Sequence, residues 1–149
     1  MFFKVGVQDE IMGLDLHYKT KENIFAPEKQ IWDYQSNTNL VQAFAHLKYA
    51  VSSKLTLNAG VHSQYFFLNN SKTIEPRLGL VYNVTNKSSF NLGYGLHSQM
   101  QPINVYFLQS KDLAGNTFYN NKNLDFTKSH HFVLGYNLQP FTDWRIKTE

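Results

Sequence analysis

Leu55-Thr-Leu-Asn-Ala-Gly-Val-His-Ser-Gln-Tyr-Phe-Phe67 changes character at every second residue. Leu55, Leu57, Ala59, Val61, Tyr65 and Phe67 fall on one parity; Thr56, Asn58, Gly60, His62 and Gln64 fall on the other. A strand throws successive side chains to opposite faces, so this segment has an apolar side and a polar side. It is also long. Globular strands run about 5–6 residues, whereas a tilted strand that crosses a bilayer needs about 9–11. Repetition of this pattern predicts an all-β fold: an antiparallel, up-and-down transmembrane β-barrel segment of about six or seven strands.

Outward from that stretch, Leu14-Asp-Leu-His-Tyr-Lys19 alternates, with Leu14, Leu16 and Tyr18 predicted outward. Residues 2–10 are ambiguous between strand and loop. Residues 21–36, with Pro27, read as a long loop. A strand over 38–51 places Val41, Ala43, Ala45, Leu47, Tyr49 and Val51 outward, against Gln42, His46 and Lys48; Phe44 breaks the pattern. The strand over 73–84 sends Ile74, Leu78, Leu80, Tyr82 and Val84 outward and Glu75, Arg77, Gly79 and Asn83 inward. The next, over 89–101, sends Phe90, Leu92, Tyr94, Leu96 and Met100 outward, and a further strand covers 127–138 with Phe132, Leu134, Tyr136 and Leu138 outward. Residues 102–125 read as mostly loop, and Trp144 begins one more strand.

Connection lengths sort the rims. Short turns at 52–53, 85–88 and 139–143 are assigned to one rim, and the connections at 21–36, 69–72 and 102–125 to the other, the short-turn and long-loop rims of an outer-membrane barrel. Outward Tyr49, Tyr82, Phe90, Tyr136 and Trp144 then gather near the short turns, with Leu55 as the exception. Tyr18, Tyr65 and Phe67 gather near the long loops. Paired aromatic girdles are what a lipid boundary selects.

Totals agree with this reading. Of 149 residues, 42% are hydrophobic, yet mean hydropathy is −0.40, so apolar side chains are interleaved rather than blocked. No run of about 18 apolar residues exists to form a spanning helix. Net charge is +3, with scattered lysines, which gives nucleic-acid binding little support. Cysteine is absent, which excludes disulfides, thiol catalysis and cysteine-ligated zinc. No signal peptide is visible at Met1-Phe-Phe-Lys4, although an exported barrel requires one. Together with the odd strand count, this makes the whole chain, 1–149, read as part of a longer barrel domain.

Several stretches resemble the barrel of TonB-dependent outer-membrane receptors of the Bacteroidetes type. They are Leu40-Val-Gln-Ala-Phe-Ala45, Leu55-Thr-Leu-Asn-Ala-Gly60, Ile74-Glu-Pro-Arg-Leu-Gly79, Leu92-Gly-Tyr-Gly-Leu-His-Ser-Gln-Met-Gln-Pro102 with Val105-Tyr-Phe107, and Leu124-Asp-Phe-Thr-Lys-Ser-His-His-Phe-Val-Leu-Gly-Tyr136. The resemblance accommodates Pro76, otherwise awkward inside a strand. It implies a barrel of about 22 strands in the Gram-negative outer membrane, plugged by an N-terminal domain that this chain lacks. It also implies TonB-driven import of a small ligand: a siderophore, cobalamin, a peptide or a glycan. Membrane lipid, the plug and TonB are then the implied partners.

Within that frame His62, Glu75, Arg77, His97 and His131 are the candidate residues facing the lumen or plug. His97 and His131 fall on strands expected to be adjacent, and an imidazole pair can bind a transition metal. A polar lumen layer that hydrogen-bonds plug or water explains them more simply, so neither metal nor cofactor is assigned. Glu75 and Arg77 can pair with each other or grip the plug. Gly93 and Gly95 suit a close approach or a bend. The Asn-rich segment 111–123 can contact ligand at the surface. No nucleophile with a base, phosphate loop or carboxylate pair is present, so no enzymatic activity is expected. The competing reading is a soluble β-sandwich that binds carbohydrate through aromatics, its outward apolar residues buried between two sheets.

Overall fold

The computed structural model describes residues 1–149, Ser36 by its backbone alone. Seven strands form one antiparallel sheet in the order β1-β2-β3-β4-β5-β8-β9: β1 Phe2–Thr20, β2 Lys29–Ala50, β3 Leu55–Phe66, β4 Ser71–Thr85, β5 Ser88–Gln99, β8 Thr127–Phe141 and β9 Trp144–Thr148. Between β5 and β8 lie a one-turn helix, α1 (Ile103–Tyr106), and a small hairpin of β6 (Gln109–Lys111) and β7 (Thr117–Tyr119). Each strand of the large sheet pairs with its sequence neighbour in that sheet, an up-and-down meander.

The short connections are built by side chains that replace ladder partners. Ser52 Oγ accepts from the amides of Lys54 and Leu55 at 3.2 and 3.1 Å, closing β2 onto β3. Thr85 Oγ1 accepts from the Lys87 amide at 3.1 Å and meets Ser88 Oγ at 2.9 Å, closing β4 onto β5. On the opposite rim Asn70 turns the chain in the left-handed region (φ 59°), which Asn tolerates better than most residues, and takes the Tyr65 hydroxyl at 2.8 Å.

Register fixes what shares a face. Tyr49 lies opposite Leu57, Leu57 opposite Leu80, Leu80 opposite Leu92, and Leu92 opposite Leu134, a single row across five strands. The next row toward the short turns is Leu55, Tyr82, Phe90 and Tyr136, and the last two rings stand 4.9 Å apart. This leucine face is uncovered: Leu92 is 55% exposed, Leu134 69% and Phe132 78%. A sandwich would bury it under a second sheet. The two-stranded β6–β7 sheet instead lies by β2, next to Tyr34 of the opposite face, so the soluble-sandwich arrangement is not formed.

Two expectations need correction. Residues 2–10 are strand, and β2 starts at Lys29, so the loop assigned to 21–36 shrinks to 21–28. Second, Leu14, Leu16 and Tyr18 do not join the leucine face. Met12, Leu14 and Leu16 pack with Leu40 and Phe66, and Tyr18 meets Trp32 at 5.3 Å. The alternation breaks once, at the consecutive apolar pair Ile11-Met12, and beyond it the sense is reversed. Phe3, Val5, Val7 and, after Asp9, Ile11 put apolar groups on the leucine face, but Asp15 and His17 follow on that same side, opposite Gln35 and Asp33. Phe44, the apolar exception in the alternation of β2, shares the face of Gln42 and His46 as its parity requires. Its ring lies where a side chain on Gly6 would be, under the Lys4 ammonium at 5.6 Å.

What reverses the sense is the segment 100–126, of which 102–125 reads from sequence as mostly loop. It folds back over the inner side of the β1–β2 extension. Tyr106 and Phe107 are almost completely buried there with Leu14, Leu40, Phe66 and Phe126. Phe107 stacks on Tyr34 at 3.8 Å, and Trp32 donates its indole N–H to the Asn104 carbonyl at 2.9 Å. Met100, expected on the leucine face, packs against this cluster. Each such buried aromatic or leucine contributes about 2 kcal/mol.

Candidate functional site

Glu75 is the most buried charged side chain, at 1% exposure, on the face opposite the leucines. Its position follows from Pro76. The β4–β5 ladder runs from Thr85 only to Arg77 and stops at the residue before which Pro76 offers no N–H. Above that point side chains bridge the strands. Gln64 Nε2 donates to Glu75 Oε1 at 2.6 Å and to the Ser98 carbonyl at 3.0 Å, while Thr73 Oγ1 meets Ser98 Oγ at 2.7 Å.

The other carboxylate oxygen, Glu75 Oε2, accepts from Arg77 Nη2 at 3.1 Å and faces His62 Nδ1 at 3.0 Å, which fixes the ring proton on Nδ1. Three donors on three strand positions thus converge on one buried acid. Arg77 keeps 47% of its side chain exposed, so its charge is only partly removed from water. Of the two roles sequence allowed for the pair, mutual ion pairing is formed. Sequence reasoning missed Gln64, Thr73 and Ser98, because their convergence requires register; parity alone put Gln64 on the correct side.

His97 and His131 also meet. Their ring centroids are 4.8 Å apart, edge to face, on diagonal positions of the β5–β8 ladder. Gly95 makes this possible: a Cβ there would lie 2.9 Å from His97 Nε2, so the ring reclines on bare backbone. No third histidine, cysteine or carboxylate joins them to make a metal-holding group among the described residues. His130, one residue away, points to the leucine face and bonds Tyr94 Oη at 3.1 Å.

The five candidates therefore form two groups on one wall. His62, Glu75 and Arg77 make a network, His97 and His131 a pair, and the row Gly60–Arg77–Gly95–His131 joins them. The Asn-rich segment is ordered by its own bonds. Asp112 accepts from the amides of Ala114 and Asn116 at 2.9 and 2.8 Å and from the Asn116 side chain at 2.8 Å. Those donors, the Asn116 side chain first, hold the Asp112 carboxyl below its ordinary range. Gly115 completes the turn with φ 86°.

This arrangement holds side chains in place across the strands, and among the described residues no nucleophile stands beside a base in it. One exposed apolar face, one polar face with buried ionic ties, short turns on one rim and a folded loop on the other are the parts of a barrel wall. No curated protein and no solved structure matches the chain. The family model described as "TonB dependent receptor-like, beta-barrel" matches residues 3–148, nearly the whole length. The chain belongs to the TonB-dependent receptor β-barrel family and forms an antiparallel, up-and-down segment of such a barrel.

Proposed function

We propose that this chain is one stretch of the wall of an outer-membrane receptor that imports a scarce nutrient or chelate, energised through TonB. The observation that carries the reading is the uncovered leucine face. Phe3, Val5, Val7, Leu92, Phe132 and Leu134 are all more than half exposed, a surface that hydrocarbon tails accept and water does not. Strand length agrees. From Ile74 to Tyr82, β4 runs roughly 27 Å at about 3.4 Å per residue. A tilt of 35–45° brings that to about 20 Å of depth, close to the apolar band of such barrels. The reversal at Ile11-Met12 marks where the wall leaves lipid and enters water.

On this reading the glutamate face lines the lumen, where His62, Glu75, Arg77, His97 and His131 meet a plug domain or water. The seven-stranded sheet closes only with further strands, in a barrel of about 22, and the folded 100–126 segment stands at the outer rim. A siderophore, cobalamin, a peptide or a glycan suits such a receptor. The test is energy-dependent uptake: cells expressing the full receptor accumulate one radiolabelled ligand of these four classes, and lose the accumulation when TonB is deleted. Recovery of the receptor in the soluble fraction defeats the proposal.

A further inference from the structure

Below the Glu75 network the same wall carries a second set of polar side chains. Two adjoining hollows of about 280 and 330 Å³ share His46, Gly60 and Arg77; the second adds Asn58 and Gly79. Gly60 and Gly79 leave the floor bare. The His46 ring leans over Gly60, whose absent Cβ would lie 3.5 Å from the ring, and the Arg77 stem runs beside Gly95 at 3.8 Å from its absent Cβ. One nitrogen of Arg77 is tied to Glu75, which turns the guanidinium toward that side, and its remaining N–H groups have no protein partner among the described residues. His46 and Asn58 are likewise without hydrogen-bond partners there. Lys48, opposite Asn58, and Lys4, opposite His46, add positive charge. Glu75 is the one carboxylate that β2–β5 place on this face, among the described residues, and its oxygens are already taken.

We propose that Arg77, His46 and Asn58 form an anion-accepting niche, floored by Gly60 and Gly79, that takes a carboxylate group. A guanidinium with a free edge matches the two oxygens of a carboxylate. With no side chain of their own, Gly60 and Gly79 let an acidic group come down between Arg77, His46 and Asn58 toward the backbone. The carboxylate belongs either to a segment of the receptor inside the barrel or to a solute; the chemistry is shared. The proposal depends on the lumen reading only for that source.

The experiment follows Arg77 Nε–H and His46 ring resonances in the full receptor, folded in detergent and titrated with sodium acetate against sodium chloride at constant ionic strength. A saturable acetate shift common to both residues, lost in R77Q and weakened in R77K, supports the niche with a solute source. Alternatively, Arg77 Nε–H exchanges at least tenfold slower than that of exposed Arg145 before any acetate is added, and shows a cross-peak to a Glu or Asp methylene. That result supports the niche with an internal source. If Arg77 exchanges as fast as Arg145 and acetate acts no differently from chloride, the niche does not exist. Failure of the membrane reading, detected separately by lipid access at Leu134, leaves this titration interpretable.

Discussion

Replacing Glu75 by Ala removes the acceptor on which Gln64, His62 and Arg77 converge at 2.6, 3.0 and 3.1 Å. The two bonds to Gln64 and His62 lie in a largely dry site and are worth about 1–1.5 kcal/mol each. The Arg77 bond is discounted to at most about 1 kcal/mol, because nearly half of that side chain meets water. Glu75→Ala therefore costs about 3 kcal/mol. Arg77→Gln leaves Glu75 with two donors and costs about 1 kcal/mol. Hydrogen exchange of the full receptor reads both in peptides spanning residues 55–66 and 71–85. Opening of these segments should become roughly a hundredfold more frequent in Glu75→Ala and about fivefold in Arg77→Gln. Equal effects, or a larger effect from Arg77, would refute the assignment of Glu75 as the buried hub.

Three further expectations concern packing and the outer loop. Gly6→Val should cost about 1 kcal/mol because the Phe44 ring occupies the space its side chain needs; in a Phe44→Ala background the cost should vanish, as read by thermal unfolding. Phe107→Ala removes a fully buried ring stacked on Tyr34 and should weaken loop docking by about 3–5 kcal/mol. Limited proteolysis should then cut within 109–123 while the large sheet survives. Asp112 titrates below the ordinary carboxyl range in the folded loop, so its contribution is complete at neutral pH and is lost as pH falls through that lowered value. The amide resonances of Ala114 and Asn116 should move over that acid interval in the native protein and stay still in Asp112→Asn.

Much of the wall was legible because period-two alternation is a local signal. The face of Leu57, Leu80, Leu92 and Leu134, the tight turn within 85–88, and the shared face of His62, Glu75, Arg77, His97 and His131 all follow from parity and turn residues. Leu14, Leu16 and Tyr18 show where parity fails. Counting says which residues share a side but not which side is covered, and at Ile11-Met12 the cover changes from one face to the other. The segment 100–126 was illegible for a related reason. Its Asn and Lys content resembles a solvated loop, while Tyr106 and Phe107 carry the packing through long-range contacts with Leu14, Tyr34 and Phe66. The Gln64–Glu75–Ser98 ties depend on register and on the ladder break beside Pro76, neither of which composition encodes.

Adjacent residues on β8 offer the most direct test of the membrane wall. Val133 and Leu134 lie on opposite faces at the same height, opposite Gly93 and Leu92. Spin labels placed singly at the two positions in the full receptor, reconstituted in phospholipid bilayers, can be probed with oxygen and with a water-soluble nickel chelate. The account predicts that oxygen dominates relaxation at 134 and the chelate at 133. Chelate access at 134 equal to that at 133 would contradict it.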